Sequence, residues 1–263
     1  MIPAIILFAI YAAAAWVMLR SVSNRRLEPL AAGLTLAAIV AHSEAIVGMM
    51  RAAGAFSIGL PEAISLLAWT LAVLAVILAF ENQTRVLASI LLGSAGVGSL
   101  AIRIPHNFDQ ATVPGWEMTA HILLSMGAAA LLFAAAVTAI LSIVLDRRLR
   151  SRRLADLPRL LPPLDLLEKA MFRLIGTGLV LLTLSLFTGF VFVTNLFAQH
   201  LIHKTVLSLI AWAVFVVLLT GRVRYGWRGR SAVIGTLAGF VILSLAYFGS
   251  KFVLETLLGR HWG

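Results

Sequence analysis

The chain has no cysteine, few acids and little charge of either sign, and each shortage removes a class of protein. Without cysteine it can neither exchange disulfides, nor ligate a metal through thiolate, nor reduce a partner's thiols by its own chemistry. Only 12% of the 263 residues are charged while 61% are hydrophobic, a balance too apolar for a chain that dissolves around one ordinary core. Also missing are an HExxH helix, a phosphate-cradling P-loop, a Gly-x-Ser-x-Gly elbow and any visible pair of acids for hydrolysis. The apolar runs are continuous and lack the two-residue alternation of an outer-membrane barrel.

What the chain has is apolar length. A transmembrane helix needs about 20 mostly apolar residues to cross a hydrocarbon layer of roughly 30 Å. Eight such runs fall near 3–19, 30–50, 61–80, 86–103, 117–145, 171–197, 203–220 and 231–256. The expected fold is therefore all-α: a polytopic membrane helix bundle of about eight transmembrane helices, forming a single membrane domain over residues 1–263. Helices one to five lie within 1–145, a connector occupies 146–169, and helices six to eight lie within 170–263. The connector, "LDRRLRSRRLADLPRLLPPLDLLEK", carries Pro158, Pro162 and Pro163, which stop a helix from running through it, and an arginine run that holds it in water. No fixed-period repeat is present. Small residues inside the runs, such as Gly93, Gly96 and Gly98 in "LLGSAGVGSL", let helix backbones approach closely.

The net charge of +10 raises the question of nucleic acid, but the basic residues sit between membrane runs, where they report topology instead. Arg20, Arg25 and Arg26 follow the first run, Arg85 the third, a cluster from Arg147 to Arg173 the fifth, and Arg222, Arg224, Arg228 and Arg230 the seventh. The opposite side receives only Arg51, Arg103, Lys204, Lys251 and Arg260. Positive residues concentrate on the cytoplasmic side, so the expectation is a multi-pass protein of a bacterial-type inner membrane with both termini outside. Membrane lipids with anionic headgroups are then the natural partners of the arginine clusters, and nucleic acid is not a partner. In the first run the charges follow the apolar stretch, whereas a secretory signal carries them before it; an uncleaved helix is expected.

An ionisable side chain at membrane depth is costly, so each one has to be explained. His42, in "AIVAHSEAIVGMM", is either a packing histidine bonded to a neighbouring helix or a metal or haem ligand. In "WEMTAHILLS", Glu117 and His121 are four residues apart, on one helical face and about 6 Å apart along the axis. A carboxylate at a helix start interacts favourably with the dipole, which by itself accounts for Glu117. The same positive end disfavours an imidazolium at His121, and a neutral ring can ligate; packing is the alternative. His200 and His203 have a spacing that can hold one metal, but no third ligand lies nearby in sequence, so snorkelling at the interface suits them equally. His106 reads as a loop residue, and an even number of crossings returns His261 to the side where the fifth helix begins.

The last 150 residues also carry specific strings: the Pro-Pro connector, "TLSLFTG", "YGWRGR" and "LAYFGSKF". With them, residues 115 to 263 resemble the cytochrome c assembly protein family, the CcsA/CcmC-like proteins, and within it the YpjD branch of CcsA-like inner-membrane proteins. The first four helices resemble it only in hydropathy and in an intramembrane histidine near His42. The resemblance implies haem handling at the outer membrane face by two external histidines. His121 matches the first by its place at the start of a helix, and His261, in "GRHWG", falls where the tail carries the second. It also implies b-type haem (iron protoporphyrin IX) as cofactor; by side-chain chemistry and side of the membrane alone, Glu117 is then expected to orient His121, Trp116 and Trp262 to pack on the macrocycle, and Arg51, Arg103 or Arg260 to meet the propionates. The tryptophan-rich WWD segment that the family carries between helices six and seven is replaced here by "NLFAQHLIHKTV", with Lys204 at the place of the motif's lysine, and a second intramembrane histidine is replaced near Thr220. A complete haem lyase is therefore not implied.

The function expected is binding or delivery of b-type haem in a bis-histidine site, with cytochrome c maturation proteins as partners. Two axial histidines favour low-spin iron and disfavour oxygen chemistry, which suits a carrier better than an oxidase. The alternative is a haem-free accessory or regulatory subunit of another membrane protein such as a transporter. For a transporter in its own right, His42, Glu44 and Glu62 are too few to line a path.

Overall fold

The computed structural model describes residues 4–52, 59–103, 115–150, 162–192 and 199–249. Among these the regular structure is helical throughout. The helices are α1 (Ala4–Ser21), α2 (Glu28–Ala52), α3 (Leu60–Ala79), α4 (Arg85–Ser99), α5 (Gly115–Arg150), α6 (Leu164–Phe192), α7 (Gln199–Tyr225) and α8 (Arg230–Ser244). With the short turns that extend α4 and α8, eight spans are long and apolar enough to cross a membrane. Helix is the required solution: in hydrocarbon no water satisfies the backbone, so each peptide group must be paired within its own segment.

Local chemistry sets the helix ends. Asn24 accepts a bond from the Arg26 amide at the turn before α2. Pro61 sits in the first turn of α3, where its missing N–H is harmless, and the Glu62 carboxylate accepts from the Gly59 amide at 2.9 Å. Pro162 and Pro163 immediately precede α6, whose Leu167 amide already bonds the Pro163 carbonyl. The connector is shorter than its charge suggests. Helix α5 runs 36 residues to Arg150, about 54 Å at 1.5 Å per residue, so it carries its arginines well beyond a 30 Å apolar layer.

The helices group into two compact units, residues 1–113 with 155–162, and 114–154 with 163–263. The proline-rich connector divides the helices five and three, whereas packing groups them four and four. In the first unit α4 lies against α1 and α3. Gly98 and Gly96 make this possible: a Cβ on Gly98 would fall 2.8 Å from the Ala68 Cβ, and one on Gly96 would fall 3.0 Å from the Tyr11 Cβ. Gly93 has open space beside it, so only two of the three glycines serve close approach. At the arginine-bearing end, Arg85 is almost buried; its Nη1 meets Glu28 Oε1 at 2.6 Å and its Nε donates to the Ala79 carbonyl at 3.1 Å.

In the second unit α5 packs along α6 and against α8, with an alanine-rich face at Ala128–Ala130 and Ala134–Ala136. Gly178 admits Leu132, and Gly239 and Gly235 admit Phe215 and Leu218. The string "YGWRGR" folds as a tight turn between α7 and α8. Gly226 and Gly229 take left-handed φ of 66° and 65°, which glycine adopts without strain. The Trp227 indole lies on Gly221, Arg222 stacks 4.9 Å over the Phe172 ring, and Glu168 accepts from the Gly229 amide at 2.7 Å. What reads in sequence as a basic patch is a turn locked by its own residues.

Candidate functional site: a histidine held by one ring nitrogen

Consecutive helices of the second unit alternate in direction, so the start of α5, the end of α6, the start of α7 and the end of α8 share one end, opposite the arginine-rich one. His121 lies in the second turn of α5 and is half-buried. Its Nδ1 is 3.1 Å from Thr188 Oγ1 on α6, and the ring lies near the Ser185 backbone. Gly189 makes room for it: a Cβ there would be 2.9 Å from His121 Cε1. Ser185, Thr188 and Gly189 follow an i, i+3, i+4 spacing, so one face of α6 supplies the whole seat. Among the described residues no hydrogen bond reaches His121 Nε2.

A second layer of hydroxyls lies one turn deeper. Ser125 donates to the His121 carbonyl at 2.8 Å and meets Ser185 Oγ at 2.6 Å. Tyr247 adjoins this layer, its hydroxyl near both serines. Tyr247 belongs to a π-helical turn, Leu245–Gly249, that extends α8; such turns shift side-chain direction and recur at functional sites. Lys204, on α7, lies within electrostatic reach of the imidazole.

Of the other residues singled out in sequence, Glu117 turns back over Gly115 at the helix start, where φ is +79°. The hydrogen-bond partner of the His121 ring thus comes from α6 and not from Glu117. Trp116 is exposed and packs edge-on against Phe192, with ring centroids 6.5 Å apart. His200 and His203 fall in the first turns of α7, and His203 is exposed. His106, Arg260, His261 and Trp262 lie outside the described residues, as do the side chains of Arg51 and Arg103. Among the described residues no three His, Asp or Glu side chains gather as a metal site.

His42 has a different setting. It is fully buried in the first unit, with Nδ1 3.0 Å from the Tyr11 hydroxyl on α1 and Nε2 2.9 Å from Ser65 Oγ on α3. A neutral imidazole has one donor and one acceptor nitrogen, and both are taken up here. Trp69 Nε1 donates to Ser43 Oγ at 2.9 Å, tying α3 to α2 beside it.

Thr188, Ser185, Gly189, Ser125 and Tyr247 were not legible as site residues. For four of them the signal was resemblance: "TLSLFTG" contains Ser185, Thr188 and Gly189, and "LAYFGSKF" contains Tyr247, while Ser125 lies in neither string. Two strings far apart in the chain converge on one histidine.

The fold and site define a multi-pass α-helical membrane protein with a part-buried histidine seated between two helices at the arginine-poor end of a four-helix unit. Residues 57–258 match the family described as Cytochrome C assembly protein. The chain belongs to that family. It is 40% identical over 184 residues, 69% of each chain, to "Inner membrane protein YpjD" of Escherichia coli (strain K12). It is 34% identical over 171 residues to an uncharacterized 28.8 kDa protein of Azospirillum brasilense, covering 64% of this chain and 63% of that one. "Cytochrome c biogenesis protein CcsA" of Rippkaea orientalis is 31% identical over 125 residues, 45% of this chain and 37% of its own. No solved structure matches.

Proposed function

We propose that this protein holds b-type haem at the outer face of a bacterial inner membrane, as a carrier or chaperone of the cytochrome c assembly type. His121 and His261, in the tail "GRHWG", are the residues that would hold its iron. The observation that carries the reading is the His121 seat: one ring nitrogen engaged by α6, the other free of protein hydrogen bonds among the described residues. The donor chemistry fits, because an imidazole anchored through Nδ1 offers Nε2 to iron. Haem bound there would supply a redox-active low-spin iron.

Topology supports the same reading. With the arginine-rich ends of α5 and α7 in the cytoplasm, the His121 end faces outward, and both termini lie outside. Membrane lipids with anionic headgroups neutralise the arginine ends, and cytochrome c maturation proteins are the partners on the outer side. Arg51 remains a candidate for a propionate, and Trp116, exposed beside α5, a candidate for covering the macrocycle. His42 is left out of the ligand set, since its two nitrogens already close a hydrogen-bonded chain.

The test is the spectrum of the purified protein, oxidised and reduced. A Soret band of low-spin haem that is lost in both His121→Ala and His261→Ala supports the proposal. A colourless protein that takes up no added hemin overturns it, and a stoichiometric partner co-purifying with that colourless protein would establish the accessory-subunit reading instead.

A further inference from the structure

The hydrogen bonds around His121 specify where its ring proton sits, and the use made of that proton rests on the haem reading. Thr188 has one hydroxyl proton. Its Oγ1 lies 2.9 Å from the Leu184 carbonyl and 3.0 Å from the Ser185 carbonyl, the back-bonding arrangement of a threonine inside an apolar helix. A carbonyl oxygen only accepts, so the proton of Thr188 is spent on its own helix. Toward His121 the hydroxyl therefore presents a lone pair, and the bond at 3.1 Å requires the proton on Nδ1. A neutral imidazole has one N–H, so Nε2 carries the lone pair.

We infer that Thr188 is a positioning residue that fixes His121 as the Nδ1–H tautomer and leaves Nε2 unprotonated, the form that could ligate iron. His42 provides an internal contrast. There the Tyr11 hydroxyl lies on Nδ1 and Ser65 Oγ on Nε2, so both ring nitrogens have partners whichever of them carries the proton. Of the two histidines, one has both nitrogens closed and the other has a nitrogen left over. An acceptor behind a ligating histidine also strengthens it as an electron donor, so Thr188 sets the reduction potential as well as the ring angle.

The experiment uses the full-length protein labelled with 15N-histidine, without haem and then titrated with hemin, in wild type, Thr188→Val and Thr188→Ser. Before hemin, the His121 signals are expected to show a protonated Nδ1 and an unprotonated Nε2 in wild type and Thr188→Ser. Thr188→Val, close in shape but without the acceptor, is expected to shift that population toward the Nε2–H form. With hemin, Thr188→Val is expected to bind about 10- to 100-fold more weakly and to show a raised midpoint potential, while Thr188→Ser stays near wild type. An Nε2–H His121 in the wild type overturns the inference whether or not haem binds. Equal tautomer ratios, affinities and potentials in wild type and Thr188→Val also overturn it. An Nδ1–H ring that binds no hemin leaves Thr188 as the tautomer-setting residue and removes the haem reading alone.

Discussion

Removing His42 opens the hydrogen-bonded chain that joins α1, α2 and α3. The imidazole is fully buried and bridges Tyr11 at 3.0 Å and Ser65 at 2.9 Å. An interhelical hydrogen bond in a membrane protein contributes on average about 0.6 kcal/mol and at most about 1.7, so the pair is worth roughly 1–3 kcal/mol. His42→Ala also leaves a void that a close-packed unit fills only partly, adding about 1 kcal/mol or more. The two hydroxyls left behind are not equivalent. Ser65 can turn to a carbonyl of its own helix, whereas Tyr11 is too long to reach its own backbone and is left buried without that partner. We expect His42→Ala to destabilise the protein by about 3 kcal/mol and Tyr11→Phe by about 1. In the His42→Ala background Tyr11→Phe should cost nothing, because it then removes an orphaned hydroxyl; the coupling in the double-mutant cycle is about 1 kcal/mol. Reversible unfolding in mixed micelles at increasing denaturing-detergent fraction measures all four proteins. An effect of His42→Ala below about 1 kcal/mol, or the same Tyr11→Phe cost in both backgrounds, would refute the clasp.

Gly189→Ala places a Cβ 2.9 Å from His121 Cε1, closer than ordinary contact, so the ring must swing off Thr188; hemin titration should show weakened uptake, and an unchanged affinity would mean that the seat is not rigid. Gly98→Ala puts a Cβ 2.8 Å from that of Ala68, and we expect a loss of about 1–2 kcal/mol in the same unfolding assay. Much of that loss should be recovered in the Gly98→Ala, Ala68→Gly double variant. Failure of the second change to compensate would place the strain elsewhere.

The sequence alone determined the class of the fold and which helix ends carry the arginines. Continuous apolar runs of spanning length admit only helices in hydrocarbon, and clustered arginines mark which helix ends stay in water; neither depends on how the helices meet. It also singled out His42 and His121, because an ionisable group in an apolar run is conspicuous by chemistry alone. It did not separate them. Both read as lone histidines open to either role. The separation came from Tyr11 and Ser65, 31 and 23 residues from His42, and from Thr188, 67 residues beyond His121. Serine, threonine and glycine inside apolar helices carry no such mark, since back-bonding and packing account for them wherever they occur. Only tertiary packing decided that Gly189 makes room for a ring, that Thr188 faces it with a lone pair, and that Tyr247 comes in from α8 to adjoin the layer beneath. Hydrophobic periodicity fixes what a helix buries, but the partner of a buried polar atom is set by which helices meet and at what height.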